Sequence, residues 1–358
     1  MFKQINLTSA PTPKARGQLH GQQAATQIGL SLANYTQLFA SCGIDWAQAC
    51  ARASALRDAI GALNPAWIDE MDGIADGCGQ PPGSIYALNC RTEILPPNYL
   101  GAATDDGECT AIGVAPQASV GGDVWLAQNW DWLGVQRDAL VRLHTTTANG
   151  AAIHTLTEAG MLAKIGYNHA GLAIGLNILR SVADGAQPGV PVHIMLRELL
   201  ECDSVAQARQ RLATAHSIGF GASSNIPCAD ALGEVVSFEL APAGWAEWPA
   251  VNGVMTHTNH FLCDTLSPHQ APMGQSLSSA PRLAAANAQG ANGPHDLQTL
   301  QQVLRDQSDG LLSICRHPDP ALPPQQRVES VAGVIMNVTA KRWWIAPHVP
   351  SEVAFEPA

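Results

Sequence analysis

The sequence predicts a layered α+β protein in which sheets pack together and helices cover them from outside. Three observations predict it. Apolar residues recur three and four apart from Gln18 to about Gly79, short β-rich segments separated by Gly, Asn and Asp turns follow residue 109, and helical and strand-like stretches then alternate toward the end. At 358 residues, with 46% hydrophobic and only 14% charged content, the chain is long enough for a large core and too apolar for wholesale disorder.

The elements follow in order. LANYTQLFA and WAQACARASALRDAIGAL carry the helical spacing of the N-terminal part, with Pro65 and Pro82 as punctuation. SIYALNCRTEIL reads equally as helix or strand, and PPNYLGAATDDGE as a polar, glycine-bearing, exposed loop. CTAIGVAP, GDVWLAQNW, ALVRLHTT, AAIHTLTEAG, AKIGYN and GLAIGLNIL then read as an antiparallel meander. VHIMLRELLEC and SVAQARQRLAT are predicted helices, EVVSFEL and GVMTHTN strands, DLQTLQQVLRD a helix, and VAGVIMNV and RWWIAP the closing strands. Residues 264–280 and 318–326 read as surface loops, and the sequence shows no internal repeat.

A formal charge of −11 without a basic stripe argues against nucleic acid or anionic lipid as partners, because both select basic surfaces. No stretch reaches the roughly 18 consecutive apolar residues of a membrane helix, and the first residues hold no apolar signal core. The expectation is a soluble, cytoplasmic protein acting on a small molecule, with homo-oligomerisation left open. Nine cysteines, an odd number without a CxxC pair, read as reduced thiols rather than a disulfide framework or zinc ribbon. No cofactor and no metal are expected: His257 and His260 of HTNH lack a third ligand at matching spacing.

One nonapeptide stands apart. In DDGECTAIG, Cys109 follows Asp105, Asp106 and Glu108 and opens a strand. Only a thiolate attacks, and catalytic cysteines usually borrow a histidine to form it, yet none lies nearby in sequence. Cutting the chain between Glu108 and Cys109 would give the cysteine its own α-amine, whose ordinary pKa of about 7.7–8.0 suits proton transfer. The bland alternative is a buried small hydrophobe. In the segment 124–132, strand alternation places Asn129 and Asp131 on one face and Trp130 and Trp132 on the other.

Seven motifs occur in order: ALNCRTE, GECT, QNWDW at 128–132, TEAGMLAKIGYNHAGLAIGLN at 157–177, GVPVHIMLRELLE, HTNH at 257–260 and SICR at 313–316. Through them the sequence, from about residue 15 to 345, resembles the isopenicillin N acyltransferase family of autoproteolytic N-terminal nucleophile enzymes. It departs from the family's fungal acyltransferase at Glu108, where that enzyme has glycine.

The resemblance implies a four-layer αββα sandwich, made as one precursor domain and cut into an α-chain of residues 1–108 and a β-chain of residues 109–358 that stay associated. It implies Cys109 as nucleophile, Asp131 beside its amine or the substrate, Asn259 as an oxyanion donor, and Arg316 as a substrate- or site-orienting group with Ser313 nearby. The wider relatives that hydrolyse bile-salt and penicillin amides imply an oxyanion role for Asn177. The plainer alternatives are a strand end for Asp131, an ordinary ion pair for Arg316, and a buried Arg91–Glu93 pair bracing the fold. The activity expected is amide hydrolysis through an acyl-enzyme thioester. Acyl transfer from coenzyme A or an amide to an amine is the alternative, and an uncleaved binding protein the remoter one.

Overall fold

The computed structural model describes residues 1–96, 109–272 and 277–358. Strand β1 (Lys3–Asn6) leads into helices α1 (Pro13–Ser41), α2 (Trp46–Ser54), α3 (Arg57–Leu63), α4 (Pro65–Cys78), α5 (Pro82–Asn89) and α6 (Arg91–Ile94). SIYALNCRTEIL therefore resolves as the helices α5 and α6.

Local chemistry sets these helix ends. Thr12 Oγ1 accepts from the Ala15 N–H and Pro13 occupies the first turn, so α1 starts where an orphan donor is capped and a missing one costs nothing. Asn64 caps α4 in the same way ahead of Pro65, and Gly79 ends it in the left-handed region at φ 67°. The two helices touch backbone to backbone. A Cβ on Gly17 would stand 1.9 Å from the Glu70 carbonyl oxygen, and one on Gly21 2.3 Å from that of Ile74, so only glycine permits the crossing. The buried Arg16–Glu70 pair, 2.8 Å apart, clamps it.

After residue 108 come β2 (Cys109–Val114), β3 (Trp125–Leu133), β4 (Leu140–Thr146), β5 (Ala152–Glu158), β6 (Ile165–Asn168), β7 (Leu172–Ile174) and β8 (Asn177–Ile178). Helices α7 (Val192–Leu199) and α8 (Val205–Ile218) precede β9 (Ser224–Asp230), β10 (Val235–Ala241), β11 (Gly244–Pro249) and β12 (Val254–His257). Helices α9 (Ser279–Gly290) and α10 (Leu297–Leu304) precede β13 (Val328–Asn337), β14 (Arg342–Ala346) and β15 (Glu356–Pro357).

Two sheets result. One runs β1-β4-β5-β6-β7-β9-β10-β11 with β8 beside β9, the other β12-β2-β3-β13-β14-β15. The expected meander holds for β4 to β7 but not for β2 and β3, which form a hairpin in the other sheet. GLAIGLNIL breaks into β7 and β8 at Gly175, where a Cβ would stand 2.4 Å from Gln128 Oε1. The loop expected at 264–280 gives way to α9 at Ser279, and residues 273–276 lie outside the described part.

Alternation along the strands builds the layers. Leu126, Trp130 and Trp132 of β3 meet Leu156, Ile165 and Tyr167 of the larger sheet in the gap between the sheets. On the far side of the smaller sheet, Ile112, Val114, Trp125 and Ala127 pack on Ala286, Leu300 and Leu304 of α9 and α10. On the far side of the larger sheet, Ile174, Ile226 and Phe238 pack on Met195, Leu196 and Leu212 of α7 and α8. The chain thus forms the four-layer αββα sandwich. Ile28 and Phe39 of α1 and Ile74 of α4 share one apolar cluster with Trp132 and Leu156, so segments on both sides of residue 108 fill the same core. Among the described residues no helix is long and apolar enough to cross a membrane.

Candidate active site

Cys109 opens β2 directly opposite Trp130 of β3, with its side chain toward the gap between the sheets. Its backbone is held at both ends. The N–H donates to Asn259 Oδ1 at 2.8 Å, and the carbonyl accepts from Arg282 Nη1 at 2.6 Å. Sγ lies 4.0 Å from the Asp131 carbonyl oxygen, its one hydrogen-bond contact among the described residues. Burial first, and then the Asp131 charge, push the thiol up to about 12, against the pull of the Asp131 backbone, Lys164 and Arg282. No side-chain base touches the sulfur among the described residues, so this thiol has no ready means of losing its proton.

Asn259 lies just past β12, where the smaller sheet reaches its edge. Its Oδ1 receives both the Cys109 N–H and Arg282 Nη2, the latter at 3.0 Å, and two donors converging on one atom fix which end of the amide is oxygen. Nδ2 then donates to the Ile178 carbonyl at 3.0 Å, and the Asn259 N–H to Ser279 Oγ at 2.9 Å. His260 of the same motif places Nδ1 2.7 Å from that Ser279 hydroxyl.

Arg282 is the residue that sequence reasoning missed. It rises from α9, is fully buried, and besides Cys109 and Asn259 it donates to Thr110 Oγ1 at 2.9 Å and to Ser278 Oγ at 3.0 Å. The planar fork of a guanidinium suits such convergence on several oxygens, which a point charge cannot match. One signal was available: histidines aside, Arg282 is the sole ionisable side chain between Asp264 and Asp296.

Asp131 shares a face with Asn129, as the alternation required, and so points away from the gap that receives the Cys109 side chain. Its Oδ1 accepts from Ser330 Oγ at 2.6 Å, and its buried Oδ2 has no partner among the described residues. Burial lifts the carboxyl to about 7, with Glu329 adding to the rise, while Arg282, the Ser330 bond and Arg316 hold it down. Arg316 is stitched to the same place: its N–H donates to Ser330 Oγ and its carbonyl accepts from the Ser330 N–H, both at 2.9 Å. Ser313 does not join them. Its Oγ accepts from the Asp309 N–H at 2.8 Å and closes a turn.

Asn177 stands one residue before the carbonyl that anchors Asn259. Its Nδ2 donates to Asn225 Oδ1 at 2.8 Å and its Oδ1 accepts from Gln128 Nε2 at 3.2 Å, which ties its amide into the network behind the site. Gln128 itself fastens the β7–β8 break, exchanging hydrogen bonds with the Leu176 backbone. Glu108 lies outside the described residues.

The expected Arg91–Glu93 pair is not formed. Residues two apart on a helix point in different directions. Glu93 accepts instead from the Val192 N–H at 2.9 Å and caps α7, while Arg91 Nε lies 3.6 Å from Glu158 and its guanidinium 4.2 Å over the Trp132 ring. Glu158 also binds Lys164 Nζ at 2.9 Å, and that ammonium sits 3.8 Å over Trp130, the cross-strand neighbour of Cys109. A buried ionic cluster therefore underlies strand β2, and burial lowers Lys164 to about 7 against the pull of Glu158.

Residues 119–351 match the family described as acyl-coenzyme A:6-aminopenicillanic acid acyl-transferase. The chain belongs to this family. It is 29% identical over 260 residues to the 40 kDa form of acyl-coenzyme A:6-aminopenicillanic-acid-acyltransferase from Emericella nidulans, a match spanning 70% of this chain and 67% of that one. Solved structures with similarity include penicillin V acylase from Agrobacterium tumefaciens, at 13% identity and TM-score 0.45 over 67% of this chain and 82% of that one. Conjugated bile acid hydrolase from Clostridium perfringens is similar at 12% identity and TM-score 0.43, over 69% and 96% of the two chains.

Proposed function

We propose that this chain is an N-terminal cysteine amidohydrolase that activates itself by cutting the bond between Glu108 and Cys109. The observation that carries the reading is the pose of Cys109: its nitrogen rests on the Asn259 amide oxygen, its carbonyl is gripped by Arg282, and its thiol has no external base among the described residues. The base is the residue's own nitrogen once it is released from peptide linkage.

In the first step Sγ attacks the Glu108 carbonyl, the C–N bond breaks with the thiol proton passing to the departing Cys109 nitrogen, and the acyl group moves from nitrogen to sulfur. Water then hydrolyses the thioester, leaving a Glu108 carboxylate and a free α-amine on Cys109. In turnover that amine takes the thiol proton, the thiolate adds to the amide carbonyl of a small N-acyl or peptide-like substrate, and the proton passes to the departing amine. The Asn259 Nδ2 group, one of whose two N–H bonds is used on Ile178, donates to the developing oxyanion. Asp131, whose Oδ2 has no hydrogen-bond partner among the described residues, balances the positive charge that forms on the α-amine. Water releases the acyl group as an acid.

A second reading, acyl transfer to an amine acceptor, is favoured by the Emericella nidulans relative, whose name is that of an acyltransferase. Intact mass measurement of wild type beside Cys109→Ala tests the activation. Wild type should give two fragments, the heavier beginning at Cys109, and the variant one intact, inactive chain. An active wild type with an unbroken backbone would overturn the proposal. Product analysis on N-acyl amino acids, β-lactams and acyl thioesters, with and without added amine, separates hydrolysis from transfer.

A further inference from the structure

The turn that carries Asn259 is held by a buried Glu–His pair which the chemistry described so far leaves unused. Glu239 lies on β10 in the larger sheet and His257 ends β12 in the smaller one, and both side chains are fully buried. Glu239 Oε1 stands 2.8 Å from His257 Nε2 and accepts from the Leu262 N–H at 2.6 Å. Its Oε2 accepts from the Cys263 N–H at 3.1 Å. One carboxylate thus holds the chain just before Asn259 and just after it.

The other imidazole nitrogen, Nδ1, lies 2.9 Å from the Thr258 carbonyl oxygen. Both ring nitrogens therefore face acceptors, a carboxylate and a carbonyl. The ring is thus held through both of its nitrogens, between Glu239 and the Thr258 carbonyl. Leaving either one alone in this dry place would force the turn to move.

We propose that the Glu239–His257 pair is a positioning device for Asn259, setting where its amide stands against the Cys109 nitrogen. It acts on the chemistry at Cys109 through Asn259 alone. The proposal rests on the reading of Cys109 as nucleophile. It makes the two sheets cooperate: the nucleophile and Asn259 belong to the smaller sheet and the brace to the larger.

A double-mutant cycle tests it, with Glu239→Gln, Asn259→Ala and the two combined. Glutamine keeps the shape but loses the charge and one acceptor. Two rates are measured: appearance of the two fragments by intact mass, and alkylation of Cys109 by iodoacetamide followed by peptide mass. Glu239→Gln should slow both rates about tenfold in the parent and by less than about twofold once Asn259 is alanine, because the device then has nothing to position. Equal slowing in both backgrounds overturns the proposal. So does a Glu239→Gln chain with parental rates, whatever its melting temperature.

If Glu239→Gln does not accumulate as folded protein, His257→Gln takes its place in the cycle, with the same rates expected and the same results overturning the proposal. Loss of fold there as well would mark the pair as a bolt for the core and sink the idea. A parent that alkylates at Cys109 but never yields fragments would refute self-cleavage while leaving the coupling measurable, so the two failures are distinct.

Discussion

Replacing Asp131 by Asn should stabilise the protein above neutral pH while removing its chemistry. Burial lifts this carboxyl from an ordinary 3.8 to about 7, net of the pull from Arg282, Ser330 and Arg316. With the side chain 1% exposed, screening by solvent is slight, and three units correspond to roughly 4 kcal/mol. An acid raised in this way holds its proton more tightly folded than unfolded. Wild-type stability is therefore greatest below the unfolded value, falls as pH climbs from about 4, and levels off above about 7, where the whole cost of the buried charge is present. Asparagine carries no charge at any pH and keeps a carbonyl oxygen for the Ser330 hydroxyl. The assay is urea unfolding from pH 4 to 9 of both proteins in a Cys109→Ala background, so that neither is cut. Glu93, also raised by burial, titrates in both and cancels in the difference, whereas Glu329 is coupled to Asp131 and is replaced by Gln in both proteins. The curves should meet near pH 4 and separate by up to roughly 4 kcal/mol at pH 8. A difference that stays flat with pH, or an Asn variant less stable at pH 8, would refute the assignment of a costly buried charge to this residue.

Three further outcomes are expected. Arg282→Lys substitutes a point charge for a fork and should lose two of its charge-assisted bonds, about 3 kcal/mol in all, slowing fragment formation about 100-fold; a parental time course by intact mass would contradict this. Lys164→Met takes the nearest cation from buried Glu158, leaving it the Tyr35 hydroxyl and the more distant Arg91, and should cost about 3–5 kcal/mol in denaturant unfolding; an unchanged midpoint would contradict this. Gly17→Ala would drive a methyl into the Glu70 carbonyl and should lower stability by about 1–3 kcal/mol; an unchanged unfolding midpoint would show that the helix crossing can relax.

What the sequence revealed follows the range of the forces involved. Cys109 was legible because a thiol behind three acids at a strand start is anomalous within nine residues, and HTNH because its order among the motifs was. The faces of Asn129, Asp131, Trp130 and Trp132 followed from alternation alone, which depends on nothing beyond the strand. Assigning strands to sheets failed, since β2 and β3 look locally like the meander that follows them, and their separation from it rests on packing across the gap. β9 was missed because Pro227 and flanking polar residues hide a buried strand, and Arg282 because its partners lie 172 and 173 positions upstream and 23 upstream. Arg91 was assigned the wrong partner for a related reason: Glu93 is near in the chain, whereas Glu158 is near in space.

The short strand β1 runs parallel to β4, laying Lys3 to Asn6 beside Val141 to His144 as the outermost rung of the larger sheet. If the chain opens before Cys109, the lighter piece still supplies that rung and the helices sunk behind it, and neither half owns a finished interior. The pieces would then behave as complementing fragments, so two genes split at that codon and expressed together should rebuild the activity that neither encodes by itself.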